Sequence, residues 1–176
     1  MQPIIYDVAV SLDGYISGPD GDISKFAHEG AVVEDYTHRL SQYSSAIMGR
    51  ATYEFGYQYG LAAGQNPYPH MQTYVFSQTL DCPNGCDVTI LGDALLPALH
   101  KIKRCSAGPI YLCGGGAFAG SLLGLGMINQ LRLKRAPIVL GGGVSLFGQG
   151  VAHPDLKRRD TKFYDNGYLL ETFDLP

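Results

Sequence analysis

Long apolar runs are missing from this 176-residue sequence. Nothing in it approaches the roughly 20 residues that a helix needs to cross a bilayer, so no membrane span is expected. An excess of basic charge is missing too: 13 Lys and Arg stand against 16 Asp and Glu, a net charge of -3. That balance gives no general attraction to nucleic acid or to an anionic membrane surface. The expected partner is a small-molecule substrate, with no nucleic acid and no membrane. The N-terminus, Met1 to Asp7, lacks a positive leader and is interrupted by a carboxylate, which argues against a signal peptide and for a cytoplasmic protein. Cysteine is scarce, and in that setting Cys82, Cys86, Cys105 and Cys113 are expected as reduced thiols. Cys82 and Cys86 flank a Pro-Asn-Gly turn but have no second spaced pair to complete a zinc site. The histidines (His28, His38, His70, His100, His153) are scattered and form no His-Glu-x-x-His helix. No metal is expected.

What is present is a chain 45% hydrophobic, enough for one sizeable core and short for two, read as a single domain over 1–176. Ile4 to Val10 reads as a strand leaving through the turn Ser11-Leu12-Asp13-Gly14. Val33, Tyr36, Leu40 and Tyr43 are spaced for a helix, and Ala46 to Met48 for a short strand that breaks at Gly49 into a new helix. Residues 60 to 70 read as loop, and Thr73 to Ser77 and Val88 to Leu91 as strands. Gly92-Asp93 starts a helix, and Ile110 to Cys113 is a buried strand ending at three glycines before another helix. Ile128 to Leu140 alternates as one long strand, with Leu131 and Leu133 on one face and Arg132 and Lys134 on the other. Asp165-Asn166-Gly167 carries the signal of a tight hairpin between Thr161–Tyr164 and Tyr168–Phe173. Strands alternating with helices and then a hairpin predict an α/β fold with a mostly parallel sheet and antiparallel strands at its end.

Gly114-Gly115-Gly116-Ala117-Phe118-Ala119 fits the G-x-G-x-x-A form of the dinucleotide fingerprint between a strand and a helix. Glycines there let backbone approach a pyrophosphate, and the free N–H groups of the helix start supply donors. A tight turn that merely needs positive φ reads the same way. A Rossmann domain would place an acid about 20 residues further on, where this chain has Arg132-Leu133-Lys134-Arg135, so the phosphate site is retained and the Rossmann assignment is not. Gly49-Arg50-Ala51-Thr52 is a second strand-to-helix turn, with a guanidinium and a hydroxyl to offer an anion or, equally, with an arginine facing solvent beside a helix start. A third cluster, Gly141-Gly142-Gly143, is read as a strand end outside the cofactor site.

Ser-Leu-Asp-Gly-Tyr-Ile (11–16), Ile-Met-Gly-Arg-Ala-Thr-Tyr-Glu (47–54), the glycines at 114 and Ala-Pro-Ile-Val-Leu-Gly-Gly-Gly-Val-Ser-Leu-Phe (136–147), in this order, resemble the dihydrofolate-reductase-like superfamily. They resemble most its bacterial branch related to the C-terminal reductase domain of riboflavin biosynthesis. The resemblance covers nearly the whole chain. It implies a central, mostly parallel sheet of about eight strands with helices on both faces, NADPH as hydride donor, and a homodimer. By matching motif it implies that Gly49, Arg50 and Thr52 meet cofactor phosphates, with Arg50 on a 2′-phosphate, and that Gly114, Gly115, Gly116, Ala117 and Phe118 form the pyrophosphate turn. Ser77 falls at the adenosine end, Ala9 and Ile16 beside the nicotinamide carboxamide, and Asp13 in the first loop over that ring.

Dihydrofolate reductases use a buried carboxylate in the first long helix. Family spacing back from Arg50 reaches Val33, which makes Glu34 and Asp35 the catalytic candidates, although acids near a helix start are also favoured by the macrodipole. Lys134 falls on the substrate side. Tryptophan is absent, including the one usual in the first loop of dihydrofolate reductases, which argues against dihydrofolate as substrate. The implied activity is an NADPH-dependent hydride transfer to a small pteridine-, pyrimidine- or sugar-phosphate-like substrate. The alternative is a non-catalytic dinucleotide- or flavin-binding protein on the same fold.

Overall fold

The computed structural model describes residues 1–82, 85–92, 94–149 and 154–176. The chain opens on β1 (Ile4–Val10), apolar on both faces apart from Asp7 because both faces are covered. After β2 (Tyr15–Ser17), Gly30 at φ 91° turns the chain into α1 (Ala31–Leu40). β3 (Ser45–Gly49) passes directly into α2 (Arg50–Phe55), as the break at Gly49 predicts. β4 (Gln72–Phe76), β5 (Thr89–Leu91), α3 (Leu95–Cys105), β6 (Ile110–Gly114) and α4 (Gly116–Gly124) continue the alternation. β7 (Gln130–Arg135), β8 (Val144–Ser145), β9 (Lys157–Phe163) and β10 (Leu169–Asp174) complete the chain.

Eight strands form one sheet in the order β5-β4-β3-β6-β1-β7-β10-β9. Every pair from β5 to β7 is parallel, and β10 and β9 add antiparallel, closing through the predicted hairpin. β2 and β8 pair separately, antiparallel. Alternation along the strands divides the core in two. Ile4, Tyr6, Ile47 and Leu112 pack with Leu99 and Leu122 of α3 and α4. Ile5, Ala46, Met48 and Tyr111 face the other way, toward Tyr36 and Tyr53 of α1 and α2. Helices therefore cover both faces, and each fully buried Ile or Leu contributes about 1.5–3 kcal/mol.

Two expectations need correction. The long strand predicted over 128–140 ends at Arg135: Ala136 still donates to the Val10 carbonyl at 2.8 Å, but Pro137 has no N–H to continue the ladder. Cys82 and Cys86 are joined as a disulfide rather than left as thiols, while Cys105 and Cys113 are free. Pro83 and Asn84 of the turn between the first pair, Asp93 at the predicted helix start, and His153 lie outside the described residues. No helix among the described residues is long and apolar enough to cross a membrane.

Candidate active site

A cavity of about 630 Å³ lies on the α1 side of the sheet, at the C-terminal ends of β1, β3 and β6. This is where open α/β sheets hold ligands, because the loops diverge there and leave a crevice. β3 and β6 are neighbours, so the two glycine turns that follow them meet. Gly115 sits at φ 88°, and a Cβ there would stand 2.6 Å from Thr52 Oγ1. Only glycine fits both that φ and that approach. No side chain among the described residues caps α4 or α2, so the N–H groups at both helix starts are left to other acceptors. Gly115 and Thr52 line the cavity.

The opposite wall is built around Asp7, which is fully buried. Its carboxylate accepts from Arg39 Nε at 2.8 Å, Arg39 Nη2 at 3.2 Å, Lys134 Nζ at 3.2 Å and Tyr43 Oη at 3.2 Å. Four donors fill the lone pairs of one carboxylate. Burial pushes the Asp7 carboxyl up, yet Lys134 and Arg39 outweigh it and hold the group below the usual range. Burial brings Lys134 down to about 8 against the pull of Asp7, and Arg39 adds to the lowering. The Lys134 ammonium also lies 3.2 Å from the centroid of the Tyr36 ring.

Aromatic residues make up much of the remaining wall. Tyr36 and Tyr111 share a hydroxyl hydrogen bond of 2.5 Å, and Tyr68 Oη lies 3.1 Å from Cys113 Sγ. Burial raises Tyr36, Tyr111 and Cys113 above their ordinary values, so all three hold their protons at neutral pH. Phe26 and Tyr168 close the side beside the first loop, where Tyr168 Oη accepts the Ala27 N–H at 2.7 Å.

The structure brings some candidate residues to this cavity and not others. Ala9, Ile16, Thr52, Gly115 and Lys134 line it. Gly49 and Phe118 lie just behind it in mutual contact, with Phe118 stacked on Phe76, and Gly114 is buried beside Tyr6. Gly116 packs tightly against the Ser145 carbonyl, and Ala117 is exposed on the first turn of α4. Arg50 stands at the exposed rim, donating to Glu54 at 2.8 Å and to Thr79 at 2.6 Å, and its Nη2 has no partner among the described residues. Ser77 turns its hydroxyl inward on the N–H groups of Thr79 and Leu80. Asp13 lies outside the cavity and ties the first turn to the loop after β7: it accepts from Ser11 Oγ and from the N–H groups of Leu140 and Gly141, and the Ser11 bond leads in holding it at about 2.

Glu34 and Asp35 are not among the lining residues. At 3.6 residues per turn Val32, Tyr36 and Arg39 share the inner face of α1, which leaves Glu34 exposed on the outer one. Asp35, on the flank, pairs with Lys162 and accepts from Tyr164 at 2.8 Å. Lys134 is buried, since α1 covers that side of β7. Gly141 to Gly143 do not line the cavity, but the segment they lead into does: Val144 reaches it and Ser145 packs on Gly116. Sequence reasoning passed over Asp7, Arg39 and Tyr36. The one available signal was a lone acid inside an apolar strand. No cluster of metal-ligating side chains occurs among the described residues.

Sheet order and the cavity at its strand ends together define a dihydrofolate-reductase-like α/β protein. The sequence profile of the RibD C-terminal domain matches residues 2–170, and the chain belongs to that family. It is 28% identical to the YyaP protein of Bacillus subtilis (strain 168) over 177 residues, covering 94% of this chain and 91% of that one. Its fold is similar to that of a protein from Shewanella sp. PV-4 described as a putative riboflavin biosynthesis protein, with a TM-score of 0.83, 22% identity and coverage of 100% and 99% of the two chains. It is also similar to dihydrofolate reductase from Enterococcus faecalis complexed with NADP(H), at TM-score 0.71 and 15% identity over 98% and 96% of the chains.

Proposed function

We propose that the protein is a reductase that uses NADPH to transfer a hydride to a small pteridine-, pyrimidine- or sugar-phosphate-like substrate. One observation carries this reading: the turns after β3 and β6 touch at Gly115 and Thr52 and open onto a single cavity whose far wall holds Lys134. Adjacent strands are roughly 5 Å apart, so the two helix starts that follow them are within reach of one extended dinucleotide. The missing side chain at Gly115 lets its turn approach the Thr52 hydroxyl closely, so that both turns stand at one edge of the cavity. The turn from Gly114 to Phe118 would hold the pyrophosphate through backbone N–H groups. Gly49, Arg50 and Thr52 would take the adenosine side, with Arg50 on the 2′-phosphate and Ser77 beside the base. Ala9 and Ile16 would flank the nicotinamide, under a first loop steadied by Asp13.

When bound, the nicotinamide supplies a hydride to an electron-poor carbon. The chain's own work is positioning: the tyrosine wall excludes water and Lys134 faces the substrate. Titration with NADPH and NADH, repeated on Arg50→Ala, tests the reading. Tighter binding of NADPH, lost by about tenfold or more in the variant while NADH is unaffected, is the expected result. No binding of either nucleotide overturns it. Cofactor binding without reduction of any acceptor would favour the non-catalytic dinucleotide-binding alternative.

A further inference from the structure

We propose that Lys134 is the proton donor of this reduction, with Asp7 as its positioning residue, and that the acceptor carries a polar C=O or C=N bond. The proposal rests on the NADPH reading above. The Lys134 side chain is 8% exposed and borders the cavity. One N–H is on Asp7 and another meets the face of Tyr36, while no further acceptor for Nζ occurs among the described residues. The ammonium has three donors, so one remains for a ligand. Asp7, with its lone pairs filled, takes no part beyond holding the lysine. In the sheet register Lys134 stands opposite Ala9, on the strand next to the one along which the nicotinamide would lie.

The other protic groups on this wall are poorer donors. Tyr36 and Tyr111 are bonded to each other, Tyr68 is bonded to Cys113, and burial raises all four. Burial leads in setting the acidity of Lys134, and the groups that face it are Asp7 on β1, Tyr36 and Arg39 on α1, and Cys113 on β6; from β10 the residue in register is the apolar Leu170. With one carboxylate between two cations, the cluster carries one excess positive charge facing the cavity. That charge favours an acceptor whose heteroatom becomes negative during the reaction.

Hydride, with its electron pair, forms a C–H bond at the electrophilic carbon and oxidises the nicotinamide. The C=O or C=N π pair moves to the heteroatom, and that atom takes a proton from Lys134 Nζ. The neutral amine recovers its proton from solvent.

The test uses protein labelled at the lysine side chains for NMR, with the Lys134 signal assigned through Lys134→Arg. Its titration is followed in the free protein, with NADPH and with NADP+. A midpoint near 8 that falls further with NADP+ than with NADPH is expected, because only the oxidised ring is positively charged. The same midpoint in both complexes, or one above the ordinary lysine range, overturns the proposal. Failure of both nucleotides to bind overturns the NADPH reading beneath it and is seen separately. NADPH oxidation by p-nitrobenzaldehyde, phenanthrenequinone and dihydrofolate is then compared in wild type, Lys134→Met and Lys134→Arg. Loss of turnover by about 100-fold in both variants, with NADPH affinity within about threefold, is expected, because arginine keeps the charge but does not release a proton. Turnover retained by Lys134→Arg assigns only a charge to this position and overturns the proton-donor role. Bound cofactor with no reduction of any of the three compounds overturns the acceptor class.

Discussion

The Lys134 ammonium lies 3.2 Å from Asp7 Oδ1, although the two residues are 127 positions apart. Burial holds the lysine at about 8 when folded, whereas an unfolded chain keeps it near 10.4. Between those values the unfolded state binds the proton that the folded state lacks, so this group makes stability rise with pH, by on the order of 2 kcal/mol. Above pH 10 the buried tyrosines, raised when folded, act in the opposite sense. Urea unfolding of wild type and Lys134→Met from pH 7 to pH 10 isolates the lysine contribution. A difference between the two that does not change with pH would contradict it.

Asp7→Asn leaves Arg39 and Lys134 facing each other with no carboxylate between them. A loss of about 3–5 kcal/mol is expected, the cost of breaking a buried pair from one side. In the wild type the carboxyl is depressed when folded. Its stabilisation is therefore complete above about pH 4 and is lost only as the pH falls through its lowered folded value. Acid unfolding of the two proteins should converge at the lowest pH at which both remain folded.

Gly115 and Gly141 both have positive φ, at 88° and 74°, but only Gly115 has a neighbour where a Cβ would go. Each change to alanine costs about 1–2 kcal/mol through the backbone. Gly115→Ala should in addition lower NADPH affinity by about tenfold or more, because the methyl group collides with Thr52 Oγ1 and pushes the two turns apart. Gly141→Ala should leave affinity unchanged. Calorimetric titration of both variants makes the comparison, and equal affinities would remove the cradle from the site.

Glu34→Gln and Asp35→Asn are expected to keep turnover within about twofold, since neither side chain reaches the cavity. Asp35 pairs with the exposed Lys162 and accepts from the buried Tyr164, and an exposed ion pair of this kind contributes about 1 kcal/mol or less. A large loss of turnover in either variant would require α1 to rotate when substrate binds.

Much of the architecture was legible from periodicity and turn chemistry. Strands β1, β3 and β6 announced themselves as short apolar runs ending at turn residues, and the hairpin by Asn166-Gly167. β2 and β8 were not legible, because strands of three and two residues are shorter than any pattern that could reveal them. The burial of the polar wall was not legible, for a physical reason. Alternation marks Arg132 and Lys134 as one face of a strand, but it does not say whether that face meets water or another element.

The sequence by itself determined where the backbone turns and which turns lack a side chain, since the positive φ at Gly114 and Gly115 is a matter of local sterics. Only the tertiary structure decided that the turns after β3 and β6 touch, because that depends on strand order. It also decided that Arg39 and Lys134, 32 and 127 positions from Asp7, converge on its one carboxylate. Such a meeting is enforced by burial: a lone acid within a covered strand is tolerated only where distant cations are folded onto it.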